Sequence, residues 1–119
     1  MCKILEASFI TIYFQRGRTA LMLAASTAQG GLVDMLIDSG SSIDAQSGTG
    51  ITALMKACLY KTDQHLDVAA RLLNNGASIN IQDRVGRTAL FHAVEVGDMK
   101  VIHLLLSKGA DIDIEDRVS

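Results

Sequence analysis

Proline and tryptophan are absent from this sequence of 119 residues, and aromatic residues make up only 4% of it. A core with so few rings has to be built from Ala, Leu, Ile, Val and Met, which is typical of closely packed helices. Apolar residues still reach 49% and charged residues 20%. This composition excludes a disordered chain, and the length fits a single domain.

An excess of charge of one sign is also lacking. Eleven Lys and Arg residues stand against thirteen Asp and Glu residues, giving a formal net charge of −2. Neither nucleic acid nor an anionic membrane surface is therefore an expected partner. No apolar run reaches the roughly 18 residues of a membrane span. The apolar stretch at 4–14 is interrupted by Glu6 and lacks a small-residue cleavage site, so it does not indicate a signal peptide.

Cysteine is scarce, and its placement excludes two kinds of site. Cys2 and Cys58 are too far apart in the sequence for a metal-ligand or redox pair, and two cysteines do not make a disulfide framework. We therefore expect an intracellular protein, cytoplasmic or nuclear, in which Cys58 is a small buried apolar residue.

Self-comparison reveals an internal repeat. Three segments open alike, at 17–22 (GRTALM), 50–55 (GITALM) and 86–91 (GRTALF), and three close alike, at 40–44 (GSSID), 76–80 (GASIN) and 109–113 (GADID). The openings are 33 and 36 residues apart, whereas each closing glycine precedes the next opening glycine by 10 residues. The three extra residues of the second unit are therefore expected between its helices, around 60–65, in a loop that contains His65.

Each unit divides into the same parts. A threonine that can cap a first helix is followed by paired small residues, then by a second helix with one apolar stripe, a glycine suited to a helix end and a short alternating arm. The capping residues are Thr19, Thr52 and Thr88. Because one such helix pair cannot bury its stripe alone, the pairs are expected to stack into a solenoid of six main helices.

The chain resembles an ankyrin-repeat protein from about Gly17 to Asp116. The family pattern Gly-x-Thr-Pro-Leu-His-x-Ala-Ala appears at 86–94 as GRTALFHAV, and its closing Gly-Ala-Asp-Ile-Asn appears at 109–113 as GADID. The resemblance implies an all-α solenoid with hairpin-like loops, forming one domain over 1–119. The expected units are a partial repeat at 1–16 and repeats at 17–49, 50–85 and 86–119.

The sequence departs from the family pattern at two positions of each repeat. Alanine replaces the helix-starting proline throughout, and Met22, Met55 and Phe91 replace the family histidine. We expect apolar packing where the family has a polar network.

The resemblance also implies a function, which is non-catalytic binding of a protein partner. Ankyrin arrays bind partners along a concave face built from first helices and hairpin tips. Carried over by position, the candidate partner-binding residues are Arg18, Leu23, Thr27, Thr49, Ile51, Lys56, Tyr60, Arg84, Arg87, His92, Glu95 and Val96. Tyr60 is expected to be the strongest anchor. The alternative is a structural spacer within a larger multi-domain protein.

No catalytic or metal constellation emerges from the sequence. His65, His92 and His103 have no nucleophile at a useful spacing, and we expect all three to be exposed or at a rim. Alternating acidic residues at 111–116 lack the Gly at the sixth position and the Glu at the twelfth that a calcium loop needs. Their spacing is explained by the repeat, because the same register holds Ser, Asn, Asp and Gln in the other two units. Neither a metal nor a cofactor is expected.

Two further expectations concern association and modification. The arm at 9–14 is apolar and alternating, so uncapped ends could give self-association. By the family resemblance, Asn80 is similar to sites of 2-oxoglutarate-dependent asparaginyl hydroxylases, which would make the chain a substrate.

Overall fold

The computed structural model of the protein describes residues 19–114, so the expected partial repeat at 1–16, the arm at 9–14 and Arg18 lie outside the described residues. The described residues form six α-helices and no strand. The helices are α1 (Ala20–Ser26), α2 (Gly30–Asp38), α3 (Ala53–Cys58), α4 (Asp63–Asn74), α5 (Ala89–Val96) and α6 (Met99–Ser107). They pair into a first repeat (α1 and α2), a second (α3 and α4) and a third (α5 and α6). The predicted all-α solenoid is confirmed.

Each first helix begins where the sequence predicts, because a threonine caps it. The threonine is extended, and its hydroxyl oxygen accepts the N–H of the third residue along. The three bonds join Met22 N to Thr19 Oγ1 (3.2 Å), Met55 N to Thr52 Oγ1 (3.2 Å) and Phe91 N to Thr88 Oγ1 (3.3 Å).

The core lies between two layers of helices. First helices pack on the next first helix (α1 on α3, α3 on α5), and second helices pack on the next second helix (α2 on α4, α4 on α6). Ala24, Ala57 and Ala93 are completely buried, which allows this close approach. Met22 and Met55 are also buried, so apolar packing at the family's histidine position is confirmed for these two residues.

The three extra residues of the second repeat lie in a helix, and the prediction that they form a loop is wrong. In every repeat the second helix begins ten residues after the first, but α4 has 12 residues whereas α2 and α6 have 9. Thr62 starts α4 early because its hydroxyl accepts the His65 N–H at 3.0 Å, and Asp63 adds a favourable charge in the first turn. His65 is therefore helical.

An ion pair that the repeat pattern does not reveal joins the second helices of two repeats. Arg71 of α4 contacts Asp34 of α2, and its Nε lies 2.7 Å from Asp67 Oδ2. A Cβ added at Gly30 would lie 2.8 Å from Arg71 Nε. The glycine at the start of α2 thus leaves the space in which the guanidinium reaches the first repeat.

Candidate functional site

The connections between repeats end in two tight turns, which we call the tips, at 47–51 and 83–87. Each tip closes through a bond between its first N–H and its last carbonyl, with a second bond inside. The bonds join Ser47 N to Ile51 O (2.9 Å), Gly50 N to Ser47 O (2.8 Å), Asp83 N to Arg87 O (2.9 Å) and Gly86 N to Asp83 O (3.0 Å). The tips are hairpin-like turns, in agreement with the sequence prediction, although no strand forms among residues 19–114.

The two tips are bonded directly to each other. The Arg84 N–H donates to the Thr49 carbonyl at 3.0 Å. Immediately before the tips, Gln46 Nε2 donates to the Gln82 carbonyl at 2.9 Å. Gly50 has a φ of +84°, and a Cβ there would lie 2.7 Å from Arg84 N. A glycine is needed at this contact for both conformation and space. The tips therefore form one fixed surface.

A buried carboxylate shapes the second tip and ties it to α5. Asp83 Oδ1 accepts the N–H groups of Val85 (3.0 Å) and Arg87 (2.9 Å), and Asp83 Oδ2 lies 2.9 Å from His92 Nε2. Burial alone would raise the pKa of Asp83, but the hydrogen bonds from Arg87, His92 and Val85 outweigh it, and the pKa is lowered. Sequence reasoning missed Asp83. The repeat pattern gave no signal for it, because Ser47 occupies the same position before the opening Gly50 of the preceding repeat.

The expectation that His92 is exposed is wrong, because only 7% of its surface is accessible. The second tip folds Asp83 over α5 and covers the ring. The other ring nitrogen, Nδ1, lies 4.0 Å from Glu95 Oε1. The buried His92 and Asp83 side chains therefore hold the tip on its helix.

His65 is also buried, at 9% exposure, which again contradicts the sequence prediction. Its Nε2 donates to the Ser26 carbonyl at the end of α1 (2.9 Å), and its Nδ1 lies 2.6 Å from the Thr62 hydroxyl. The ring of Tyr60 packs on His65 with a centroid separation of 4.5 Å, and 42% of Tyr60 remains exposed. His103, in contrast, is exposed as predicted.

The remaining candidate residues divide by exposure. Those that are exposed are Thr27, Thr49, Tyr60, Arg84 and Glu95, and those that are half-buried are Leu23, Ile51, Lys56, Arg87 and Val96. Lys56 and His92 occupy the same register on the adjacent helices α3 and α5. Tyr60, which follows the end of α3, occupies the register of Val96 at the end of α5. Asn80 is exposed, and its Oδ1 accepts the Asp111 N–H at 2.9 Å.

Arg87 of the second tip and Glu95 of α5 form a small polar network beside an exposed ring. The Arg87 guanidinium carbon lies 5.0 Å from the centroid of Phe91, and Arg87 Nη1 lies 3.6 Å from Glu95 Oε1. Phe91 is 38% exposed, unlike Met22 and Met55. The interaction of the Arg87 cation with the face of the Phe91 ring stabilises this exposed side chain.

Residues 19–114 contain no group of three or more His, Cys, Asp and Glu side chains that could hold a metal ion. Within the same residues, no helix is both long and apolar enough to cross a membrane. Cys58 is completely buried, and burial together with the charge of Asp98 raises the pKa of its thiol to about 12.

Comparison with known proteins finds relatives, some of which have ankyrin repeats in their names. A sequence model described as ankyrin repeats (three copies) matches residues 21–116. The chain is 40% identical over 94 residues to "SH3 and multiple ankyrin repeat domains protein 1" of Homo sapiens, which covers 76% of this chain and 4% of that protein. It is 33% identical over 88 residues to "E3 ubiquitin-protein ligase XBAT33" of Arabidopsis thaliana, covering 73% of this chain and 17% of the relative. A 58-residue match, 39% identical, links it to "Putative ankyrin repeat protein L271" of Acanthamoeba polyphaga mimivirus, covering 48% of this chain and 8% of the relative. The chain thus spans a small part of each relative's length.

Proposed function

Because the chain belongs to the ankyrin-repeat family, we propose that it is a non-catalytic module that binds a protein partner through its tips and first helices. Ankyrin repeats are generally protein-interaction modules, and the candidate surface has suitable physical properties. The activities and partners of the relatives are not assigned to this chain, because it covers only a small fraction of each of these much longer proteins.

The bonds between the tips are the observation that carries this proposal. Arg84 N to Thr49 O and Gln46 Nε2 to Gln82 O fix the backbone of both tips before any partner arrives. A surface that is already ordered loses little conformational entropy on binding, so more of the contact energy is available as affinity.

The side chains on this surface are mixed in character. Val85 (37% exposed) and Tyr60 (42% exposed) contribute apolar area, and Arg84 contributes an exposed charge. Aromatic and Arg residues carry most of the energy in protein interfaces. A uniformly charged solvated surface, which a pure spacer would tolerate, is not present here among the described residues.

The test begins with an affinity pull-down by the 119-residue chain and identification of the captured protein. Binding is then measured for Tyr60→Ala, Lys56→Ala and Arg84→Ala. We expect at least one of these changes to weaken binding about thirtyfold, the effect of truncating an interface anchor. His92→Ala is a poor probe, because the buried ring holds Asp83 in place.

The controls lie on α6 and directly after its end. Lys100 Nζ contacts Asp63 Oδ1 at 3.1 Å, and Lys108 Nζ donates to Asn74 Oδ1 at 3.2 Å, so both lysines bridge adjacent second helices. Lys100→Ala and Lys108→Ala are expected to leave binding unchanged. If the controls weaken binding and the tip and first-helix variants do not, the second-helix surface is the site and the proposal is wrong.

Two smaller proposals accompany this one. The burial of Cys58 as a free thiol supports a reducing intracellular location.

The exposure of Asn80 supports its modification by an asparaginyl hydroxylase, although its bond to Asp111 N must open first. Intact-mass analysis after incubation with such an enzyme and 2-oxoglutarate tests the modification, with Asn80→Ala as the matched control.

A further inference from the structure

Charged side chains are divided unequally between the two layers of the solenoid. Among residues 19–114, the tips and first helices carry the cations Lys56, Arg84 and Arg87. Their two acidic residues are Asp83, which is buried, and Glu95, which lies beside Arg87. The other acidic residues of this part of the chain lie on second helices, at the cap of α6 or in the arms, and they are Asp34, Asp38, Asp44, Asp63, Asp67, Asp98, Asp111 and Asp113. The surface of the tips is therefore locally positive on a chain whose formal net charge is −2.

The cations of the two layers also differ in their partners. Arg71, Lys100 and Lys108 each contact an oxygen atom on a neighbouring second helix. The side chains of Lys56 and Arg84, in contrast, have no ion pair and no hydrogen bond within residues 19–114. Lys56 is half-buried, so its ammonium group loses part of its hydration without gaining an anion. An anion from another molecule would therefore be stabilised at this position.

The third repeat shows how a carboxylate binds at the register of Lys56. His92 of α5 corresponds to Lys56 of α3, and Asp83, nine residues before His92, places its Oδ2 at 2.9 Å from the ring. Nine residues before Lys56 the chain has Ser47. The Ser47 hydroxyl accepts two N–H groups of its own tip (3.3 and 3.2 Å), as Oδ1 of Asp83 does in the second tip. Ser47 has no second oxygen and no charge, so the second repeat has the cation of this pair and lacks the carboxylate.

The space for a ligand lies between the two tips. An open cleft of about 330 Å³ is lined by Ser47 and Gly48 of the first tip and by Arg84 of the second. Both tips lie between described repeats, so the cleft is internal to the array. The sequence contains no acidic residue from position 7 to position 33, so the residues around the first repeat supply no carboxylate before α2.

We infer that the protein partner presents an acidic segment to the tips, with an Asp or Glu carboxylate bound beside Lys56 and Arg84. This inference rests on the proposed function, because it states the chemistry of the partner for the same surface. The carboxylate of the partner takes the place at Lys56 that Asp83 takes at His92. Charge-assisted hydrogen bonds to a lysine and an arginine are among the stronger polar contacts in proteins, and complementary charge fixes the orientation of the partner.

The test uses short synthetic peptides with blocked ends and NMR spectra of the isotopically labelled 119-residue protein at low salt. In the first peptide Glu alternates with Ala and Leu, in the second Gln replaces every Glu, and in the third phosphoserine replaces every Glu. We expect the Glu peptide to shift the amide signals of Thr49 and Arg84 in a saturable way. The Gln peptide should bind at least about tenfold more weakly, and added salt should weaken the Glu peptide.

Charge-reversed variants locate the carboxylate. Lys56→Glu and Arg84→Glu should each weaken binding of the Glu peptide about tenfold or more, and Lys56→Gln should give a smaller loss. Ser47→Asp places a carboxylate of the chain itself where the peptide carboxylate would bind, so it should also weaken binding about tenfold. Lys108→Glu is the matched control, because it changes the charge equally directly after α6 and should leave binding unchanged. Circular dichroism and thermal unfolding check that each variant is folded.

Four results would overturn the inference. If the Gln peptide shifts the tip signals as strongly as the Glu peptide, the tips bind peptides without a carboxylate, and the proposed function stands alone. If only the phosphoserine peptide binds, the anion is a phosphate. Shifts at Lys61 and Lys100 in place of the tips would move the acidic site to the opposite end of the helices. If no peptide shifts the tip signals, the inference is wrong, and the pull-down and its variants decide the proposed function independently.

Discussion

A completely buried thiol sets the first prediction at the scale of single residues. Burial raises the pKa of Cys58 to about 12, and the thiolate is the form that reacts with alkylating agents. In a Cys2→Ser background, Cys58 should react with iodoacetamide at pH 8 roughly a thousandfold more slowly than an exposed thiol, because the thiolate fraction falls tenfold for each unit of pKa. Mass spectrometry of the labelled chain measures the rate. The same variant in denaturant should react at the ordinary rate, and fast labelling of the native chain would contradict the burial of Cys58.

Asp83 carries the second prediction, which concerns acid stability. Its pKa is lowered in the folded state, so its contribution to the free energy of unfolding is complete above the unfolded value near 3.9 and is lost as pH falls through the folded value. Asp83→Asn should cost about 1 to 3 kcal/mol at neutral pH, because an amide group then faces His92 in a buried site.

Urea unfolding at several pH values compares the free energies of unfolding of the native protein and Asp83→Asn. Below pH 4 the difference between native protein and Asp83→Asn should shrink, because the native carboxylate also takes up its proton there. A difference that stays constant down to pH 2 would show that Asp83 acts through packing instead.

The pairing of Asp83 with His92 also marks a limit of prediction from the sequence. The repeat pattern correctly places His92 on a first helix, at the register of Leu23 and Lys56. Its burial depends on a tip nine residues earlier in the chain, whose path is set by hydrogen bonds to Val85 and Arg87. A local pattern contains no information on this contact, so the residue was assigned to the surface.

At the scale of helices and turns, a left-handed alanine carries the third prediction. Ala28, between α1 and α2, has a φ of 56°, and in the third repeat Gly97 has a φ of 80° at the matching place. A left-handed alanine costs about 1 kcal/mol relative to glycine. Ala28→Gly should therefore raise the free energy of unfolding by about 0.5 to 1 kcal/mol, measured by urea titration.

Gly97→Ala is the matched control for this change. A Cβ at Gly97 meets no atom within 4 Å, so its expected cost of about 1 kcal/mol arises from the backbone conformation alone. Destabilisation by Ala28→Gly would mean that the Ala28 methyl group contributes more through packing than it costs in backbone strain.

Helix starts were largely predictable, because capping is a local signal. Thr19, Thr52 and Thr88 cap the first helices as the sequence indicates. The start of α4 was misplaced even though Thr62 is the same kind of signal. The extra residues were predicted to form a loop because the other two repeats are shorter, and the capping signal of Thr62 was not used. The contact of Arg71 with Asp34 was not predictable, since it joins side chains in different repeats.

At the scale of the whole molecule, each repeat is stabilised by its neighbours, which carries the fourth prediction. The second repeat packs on both others, whereas the described part of the chain covers the third repeat on one side. Stability in such arrays is approximately a sum over repeats and their interfaces. Amide hydrogen exchange at low protein concentration should be slower at Leu72 of α4 than at Leu105 of α6, although both side chains are completely buried. Equal protection would indicate that residues 19–114 unfold as a single cooperative unit.

The lengthened α4 has a geometric consequence. Each residue turns an α-helix by about 100°, so three residues turn it by about 300° and extend it by about 4.5 Å. The added turn nearly completes a rotation, and Val68 and Leu72 still point into the core while His65 gains a new position against the end of α1. Second helices of this kind can therefore vary in length by steps of three or four residues at their N-terminal ends without rotating the apolar stripe. One or two added residues would instead turn the added segment away from the apolar stripe, because each residue turns the helix by about 100°. An insertion of four residues at the start of α4 is the change in length that this helix should accept most readily.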